Sequence, residues 1–188
     1  MRLFIGIDLP PELKQAMRDL QVELRKLGVE GYWKSPENFH ITLEFLGELD
    51  TKRVTSLKET LTRVVPSHRP FSLNIAGLGG FPSMRRPHTL WTAVSGNLSE
   101  LNRLRDKIHA DLVESGFNLE DRAFRPHITL ASRPQLDGIN TSAMLTRKLG
   151  EFTVNAVVLF ESKVIEGRRR YLDLYMAKLS DVGTPQVL

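Results

Sequence analysis

The sequence predicts an α+β fold of two similar lobes related by an approximate two-fold axis. Two antiparallel sheets would face a central cleft, with helices on the outer faces. The first supporting observation is a repeated word, since His40–Leu43 and His127–Leu130 both read HITL. The second is that each copy ends the same series of strand, amphipathic helix and histidine strand. The third is a shared spacing, because His127 minus His40 and Trp91 minus Phe4 both give 87.

These observations favour one bilobal domain over residues 1–180, with an internal repeat at about 2–47 and 89–134. The chain of 188 residues is long enough to bury a substantial core. Residues 181–188 are expected to form a flexible tail. We expect a monomer, because the two lobes complete the cleft within one chain.

The elements of the first half follow from the spacing of apolar residues and from Pro and Gly boundaries. A strand at 2–8 leads through Pro10-Pro11 into a helix that ends at Gly28. The remaining predicted elements are a short strand at 32–34, the first histidine strand at about 39–46, a helix at about 51–65, a strand at 71–78 and a long loop at 77–87 that exposes Arg85 and Arg86.

The second half repeats this order and then adds further strands. Its predicted elements are a strand at 89–94, a helix at about 98–115, the second histidine strand at 124–131, a short helix near 141–149, and β-rich segments at 152–164 and 169–179.

The composition limits the classes of function. With 26 basic and 22 acidic residues, the formal charge is +4 and the pI about 9.5, which favours anionic partners such as nucleotides or RNA. The absence of cysteine excludes thiol chemistry, disulfides and cysteine-ligated zinc. No run of about 18 apolar residues could span a membrane, and the first residues are typical of a strand, not of a signal peptide. We therefore expect a cytoplasmic protein.

The repeated word places the same chemistry on both lobes. Side chains alternate across a strand, so His40 and Thr42 would share one face, and His127 and Thr129 would do the same. Two imidazoles and two hydroxyls around one cleft suit a phosphate, because in-line displacement at phosphorus needs a base and an acid on opposite sides. An unperturbed pKa near 6.5 allows one imidazole to be neutral and the other protonated.

Structural roles and a metal site are the alternatives for histidines. A single histidine is usually structural, which is the interpretation of His68, His88 and His109. A metal site would need a further ligand besides the repeated histidines. Glu44 is the candidate, since alternation would place it on the face of His40.

Other residues carry weaker indications of nucleic-acid binding. The arginines at 168–170 and 85–86 are either contacts for RNA phosphates or solvated surface. Phe45 and Phe81 are candidates for stacking on a base, whereas the strand position of Trp91 favours burial in the core.

Motifs along nearly the whole chain identify a family that it resembles. The segments are LFIGIDLP, NFHITLEFLGE, RPFSLNIAGLGGFPSMRRPHTLW, FRPHITLA, LFES and RRRYLDLY. They resemble the two-histidine phosphoesterases, and most closely the RNA 2′,3′-cyclic phosphodiesterases of bacteria and archaea, historically called 2′-5′ RNA ligases. The resemblance implies a bilobal α+β fold, no metal, and hydrolysis of a 2′,3′-cyclic phosphate on RNA or a nucleotide to a 2′-phosphomonoester.

The resemblance also implies roles for the repeated residues. His40 and His127 would be the catalytic pair, and Thr42 and Thr129 would hold the phosphate. Our hypothesis is that His127 deprotonates the attacking water and His40 protonates the departing 3′ oxygen, although the pseudo-symmetry leaves the assignment open. A non-catalytic nucleotide-binding or RNA-binding module and 2′-5′ ligation by the reverse reaction are the alternatives.

The chain departs from the family at one position. Members often carry an arginine at the third position after the second threonine, where this chain has Ser132 and places Arg133 next. By simple alternation Arg133 would share the face of His127 and Thr129, so it is a candidate phosphate ligand.

Overall fold

The computed structural model describes residues 1–121 and 123–181. Three helices and nine strands occur within these ranges. They are β1 (Arg2–Asp8), α1 (Pro11–Lys26), β2 (Glu30–Trp33), β3 (His40–Glu48), α2 (Lys52–Val64), β4 (Phe71–Phe81), β5 (Thr89–Gly96), α3 (Leu98–Glu114), β6 (His127–Gln135), β7 (Lys148–Val154), β8 (Ala156–Ile165) and β9 (Arg168–Lys178). The flexible tail predicted at 181–188 lies outside the described residues, apart from Asp181.

The strands form two antiparallel sheets, which confirms the predicted α+β class. The first sheet has the order β3-β1-β8-β9, and the second has the order β2-β6-β5-β4-β7. The two histidine strands, β3 and β6, contact each other where the sheets meet. No helix in the described part of the chain is long and apolar enough to cross a membrane.

The helices cover the sheets. Helices α1 and α3 each pack against the sheet that contains the histidine strand of the other repeat copy. Helix α1 packs against β7 of the second sheet, whereas α2 and α3 pack together and contact the first sheet. The apolar stripe of α1 is buried through Leu13, Met17, Leu20 and Leu24. Each such side chain stabilises the fold by about 1.5–3 kcal/mol through removal from water.

Each histidine strand contains a β-bulge one residue after its threonine. In β3, Thr42 pairs with Gly6 but Glu44 pairs with Ile5, so Leu43 is the extra residue. In β6, Thr129 pairs with Trp91 and Ala131 with Leu90, so Leu130 is the extra residue. A bulge moves the residues after it to the opposite face from the one that alternation predicts.

The internal repeat does not keep a single offset in three dimensions. The histidine strands are offset by 87, but Gly6 opposes Thr42 and Trp91 opposes Thr129, which gives 91 − 6 = 85 for the neighbouring strands. The equivalence of Trp91 and Phe4 expected from sequence spacing is therefore wrong. Strand β5 is therefore shifted by two residues from the position that an offset of 87 from β1 would give.

Two predicted elements near β4 differ from the structure. The prediction of a helix at 141–149 is wrong. A single 3-10 turn occupies Ser142–Met144, and β7 begins at Lys148 because the residues of β7 pair with β4. The loop expected at 77–87 begins later, since β4 continues to Phe81. Gly79 makes this possible, because a side chain there would overlap the indole of Trp91.

Candidate active site

A cleft of about 360 Å³ lies where the two sheets meet, and the repeated motif residues line it. These are His40, Thr42, His127 and Thr129, so the fold brings together four of the five site residues predicted from the sequence. The other residues that line the cleft are Arg2, Leu3, Phe4, Lys34, Asn38, Phe45, Thr89, Ser132, Ser162, Arg169 and Tyr171.

The ring of His40 is fixed by hydrogen bonds at both nitrogens. Its Nδ1 lies 2.7 Å from the backbone oxygen of Asn38, which can only accept, so Nδ1 carries a proton. In the neutral ring, Nε2 then accepts a hydrogen bond from the Thr42 hydroxyl at 2.9 Å. Phe4 packs on the imidazole at a centroid distance of 4.7 Å, and Tyr171 meets it edge-on at 5.1 Å.

These surroundings keep His40 uncharged. Burial lowers the pKa of His40 from 6.5 to about 4, because the apolar rings exclude the water that would solvate an imidazolium. The hydrogen bond to Asn38 and the charge of Asp8 oppose this pKa shift, while His127 adds to it. At neutral pH the Nε2 atom of His40 is thus a proton acceptor.

His127 is held in the same manner on the other lobe. Its Nδ1 lies 2.7 Å from the backbone oxygen of Arg125, two residues earlier, just as Asn38 precedes His40 by two. Phe81 meets the ring edge-on at a centroid distance of 4.9 Å. In both histidines, Nδ1 therefore carries a proton that it donates to a backbone carbonyl.

Trp91 does not lie in the core, where its strand position was expected to put it. It opposes Thr129, which places it on the cleft face of β5, and its side chain is only partly buried. The indole packs on Phe81 at 4.9 Å and approaches His127 at 6.2 Å. Trp91 thus supports the ring that fixes His127.

The bulge at Leu130 decides which residue after Thr129 reaches the cleft. Ser132 lines the cleft because it pairs with Thr89, on the same face of β5 as Trp91. Arg133 is exposed, has a φ of 49°, and is not among the cleft-lining residues. The expectation that Arg133 shares the face of His127 is wrong, because it assumed an unbroken alternation.

Glu44, the candidate metal ligand, is engaged by helix α3. Its carboxylate is buried, accepts a hydrogen bond from Nδ1 of His109 at 2.8 Å, and lies 3.3 Å from the guanidinium of Arg105. This contact agrees with the structural role predicted for His109. Among residues 1–121 and 123–181, no cluster of three or more His, Cys, Asp or Glu side chains is placed to hold a metal.

A second recess of about 480 Å³ adjoins the cleft through Thr42 and His127. Phe45 and Phe81, the two candidates for base stacking, both line this recess. The bulge at Leu43 carries Phe45 to the cleft face of β3, since Phe45 pairs with Phe4 after the extra residue. An aromatic surface thus lies beside the paired histidines.

Several basic and polar residues of the cleft were missed by sequence reasoning. Arg2, Lys34, Ser162 and Tyr171 are distributed over 170 residues, and strand pairing within each sheet together with the contact between β3 and β6 brings them together. Burial lowers the pKa of Lys34, and the nearby charge of Arg169 lowers it further. The RRRYLDLY segment was the available signal for Tyr171.

Comparison with known proteins identifies relatives along most of the chain. The model of the LigT-like phosphoesterase family matches residues 7–91 and 94–171. An RNA 2′,3′-cyclic phosphodiesterase of Thermotoga maritima is 36% identical over 130 residues, covering 69% of this chain and 68% of that protein. One from Methanothermobacter thermautotrophicus is 25% identical over 95% of this chain and 99% of its own. A crystal structure of a phosphoesterase superposes with a TM-score of 0.79 at 25% identity, covering 95% of this chain and 98% of that one.

Proposed function

The chain belongs to the LigT-like phosphoesterase family, and we propose that it hydrolyses 2′,3′-cyclic phosphate ends of RNA to 2′-phosphomonoesters without a metal. One observation carries this proposal. His40 and His127 line one cleft with matching hydrogen bonds from Nδ1 to a backbone carbonyl, and each has a threonine two residues later on the cleft face. This arrangement provides an acid and a base for a single phosphorus.

The proposed reaction needs only groups that the cleft contains. Thr42 and Thr129 donate hydrogen bonds to the two non-bridging oxygens of the cyclic phosphate. Water attacks phosphorus opposite the 3′ oxygen, and its proton passes to one imidazole as the new P–O bond forms. The bond from phosphorus to the 3′ oxygen breaks, and the other histidine, as imidazolium, protonates that oxygen. The 2′ oxygen keeps the phosphate.

The low pKa of His40 favours one assignment of roles. A neutral His40 is ready to accept the proton of water, which makes it the proposed base and leaves His127 as the proposed acid. This polarity is the reverse of the hypothesis drawn from the sequence. In the free protein the Thr42 hydroxyl occupies Nε2 of His40, so turning it toward the phosphate would release that lone pair for water.

Phosphorus NMR of a short RNA with a 2′,3′-cyclic phosphate tests the reaction and its regiochemistry. In the presence of EDTA, we expect the wild-type protein to convert the cyclic phosphate into a 2′-phosphate. His40→Ala and His127→Ala should each reduce the rate by about 10²- to 10⁴-fold, because each removes an acid or a base.

His68→Ala is the matched control, since His68 lies in the turn before β4 and does not line the cleft. It should react at the wild-type rate. A cyclic phosphate that persists with wild-type protein would refute the proposed activity. A 3′-phosphate product would refute the regiochemistry, and activity that depends on added metal would refute the metal-free mechanism.

The pH dependence of kcat/KM tests the assignment, because this parameter reports the ionisation of the free enzyme. If His40 is the base, its pKa of about 4 keeps it active well below neutrality, and its acid limb should appear near pH 4. If His40 had to be protonated instead, kcat/KM would fall with rising pH from about pH 4. That second profile would restore the polarity inferred from the sequence.

A further inference from the structure

Three basic side chains line the cleft without an acidic partner in the described part of the chain. They are Arg2, Lys34 and Arg169, none of which forms a salt bridge with a carboxylate there. The neighbouring Arg170 differs, since it pairs with Glu37 at 2.6 Å. Unneutralised positive charge is therefore concentrated in the cleft.

Two of the three cations act on the same tyrosine, and one of these two also acts on the third cation. Arg169 donates a hydrogen bond to the Ser162 hydroxyl at 2.7 Å, and Ser162 is the register partner of Tyr171. Burial raises the pKa of Tyr171, while the charges of Arg169 and Arg2 both lower it. Arg169 also acts on Lys34, whose ammonium group is partly buried. Like charges held together in this way favour the arrival of an anion.

The reacting phosphate does not account for all of this charge. A 2′,3′-cyclic phosphate carries a single negative charge, and the proposed mechanism already gives it two threonines and two histidines. Tyr171 connects the two regions, since its ring contacts His40 while its hydroxyl lies within the field of Arg2 and Arg169. The basic residues thus lie next to the reaction centre, where a second phosphate of the same substrate would be placed.

We propose that Arg2, Lys34 and Arg169 form a subsite for the 5′-phosphate of the terminal nucleotide, the group that links it to the rest of an RNA chain. This inference rests on the proposed function and specifies its substrate. The protein would then prefer RNA ends, or 5′-phosphorylated nucleotides, to nucleoside 2′,3′-cyclic phosphates that end in a 5′-hydroxyl.

The test compares two substrates that differ only in the 5′ group, adenosine 2′,3′-cyclic phosphate and its 5′-phosphorylated form. For wild-type protein we expect kcat/KM to be about 10- to 100-fold higher with the 5′-phosphate, the range expected for charge-assisted hydrogen bonds to one group. The advantage should shrink as salt increases, because part of it is electrostatic attraction at an open cleft.

Variants assign the preference to particular residues. Arg169→Met and Lys34→Met should each bring the ratio of the two kcat/KM values closer to one. Arg168→Met is the matched control, because Arg168 is exposed and does not line the cleft, and it should retain the wild-type ratio. Arg169 is itself exposed, so its variant should fold even if Lys34→Met does not.

The outcomes separate this inference from the proposed function. Equal kcat/KM values for the two substrates, with clear turnover of both, would overturn the 5′-phosphate subsite and leave the proposed activity intact. The same ratio in Arg169→Met, Lys34→Met and wild type would overturn the assignment to these residues. No turnover of either substrate by wild type would refute the proposed function and, with it, the subsite.

Discussion

The surroundings of His40 couple the stability of the fold to pH. Its pKa is about 4 in the folded protein but about 6.5 when exposed, so the unfolded chain binds the proton more tightly. The stabilising contribution of the neutral ring is fully present above pH 6.5. It is lost progressively as the pH falls from 6.5 toward 4.

Replacing His40 should therefore flatten the acid side of the stability profile. Between pH 7 and 4.5, we expect the free energy of unfolding of wild type to fall by about 2–3 kcal/mol more than that of His40→Gln, from the pKa difference alone. Urea denaturation at several pH values measures both slopes. His88→Gln, an exposed histidine outside the cleft, should follow wild type. Parallel profiles for wild type and His40→Gln would contradict the low pKa of His40.

At this scale the sequence predicted the motif residues but not every neighbour. The two HITL words were enough to propose His40, Thr42 and their second copies, because side chains alternate along a strand and place the histidine and threonine of each word on the same face. The predicted orientations of Ser132 and Arg133 were the reverse of those observed. They depend on the bulge at Leu130, which no single residue type indicates.

The bulge of β6 is held by elements that lie far away in the sequence. The carbonyl oxygen of Leu130, the extra residue of β6, accepts hydrogen bonds from Nε2 of Gln21 at 3.0 Å and from the backbone nitrogen of Lys34 at 2.9 Å. Gln21 is 4% exposed and also donates to the carbonyl of Lys34. A buried amide on α1 thus fixes the point where β6 changes face.

Gln21→Leu tests this contact with a side chain of similar size. We expect the free energy of unfolding to fall by about 1–3 kcal/mol, since the carbonyls of Leu130 and Lys34 each lose the hydrogen bond that the buried amide donates. Gln15→Leu is the control on the same helix, because Gln15 is exposed and bonds only to Asp19 in the described structure. Equal urea midpoints for the two variants would show that the amide does not stabilise the bulge.

Elements defined by local pattern were predicted well, and those defined by pairing were not. The apolar spacing of α1 and α3 gave helices close to those observed, because one face of each is buried along its whole length. The segment at 141–149 was assigned to a helix because local pattern cannot reveal that Lys148–Val154 pairs with β4. Partners distant in sequence decide such segments.

The two copies of the repeat are interleaved in the whole molecule. The first sheet needs β8 and β9, which lie beyond the second copy, whereas the second sheet includes β2 from the first copy. Strand β1 is buried between β3 and β8, with Leu3, Ile5 and Ile7 almost inaccessible. The repeat thus predicted the fold class and the paired motifs. It could not predict which sheet each strand joins, because internal sequence similarity does not reveal strand pairing.

Removing β8 and β9 should unfold more than the missing segment. A chain of residues 1–155 retains both histidine motifs but exposes one edge of β1, so we expect no cooperative urea transition and weak far-UV circular dichroism. Residues 1–181 are the matched control, because they keep β8 and β9, and they should show a cooperative transition. A cooperative transition of the 1–155 chain would show that the part of the protein before β8 can fold without a complete first sheet.

The position of β8 also has a consequence for the order of events during synthesis. On the ribosome, β1 leaves the exit tunnel long before its partner β8, which ends at Ile165, and before β9, which ends at Lys178. The first sheet cannot close until the residues up to Lys178 have been translated, because pairing this distant is late and slow. A nascent chain therefore emerges with both histidine motifs made before the cleft between them is closed, and β8 and β9 then supply the remaining wall of that cleft.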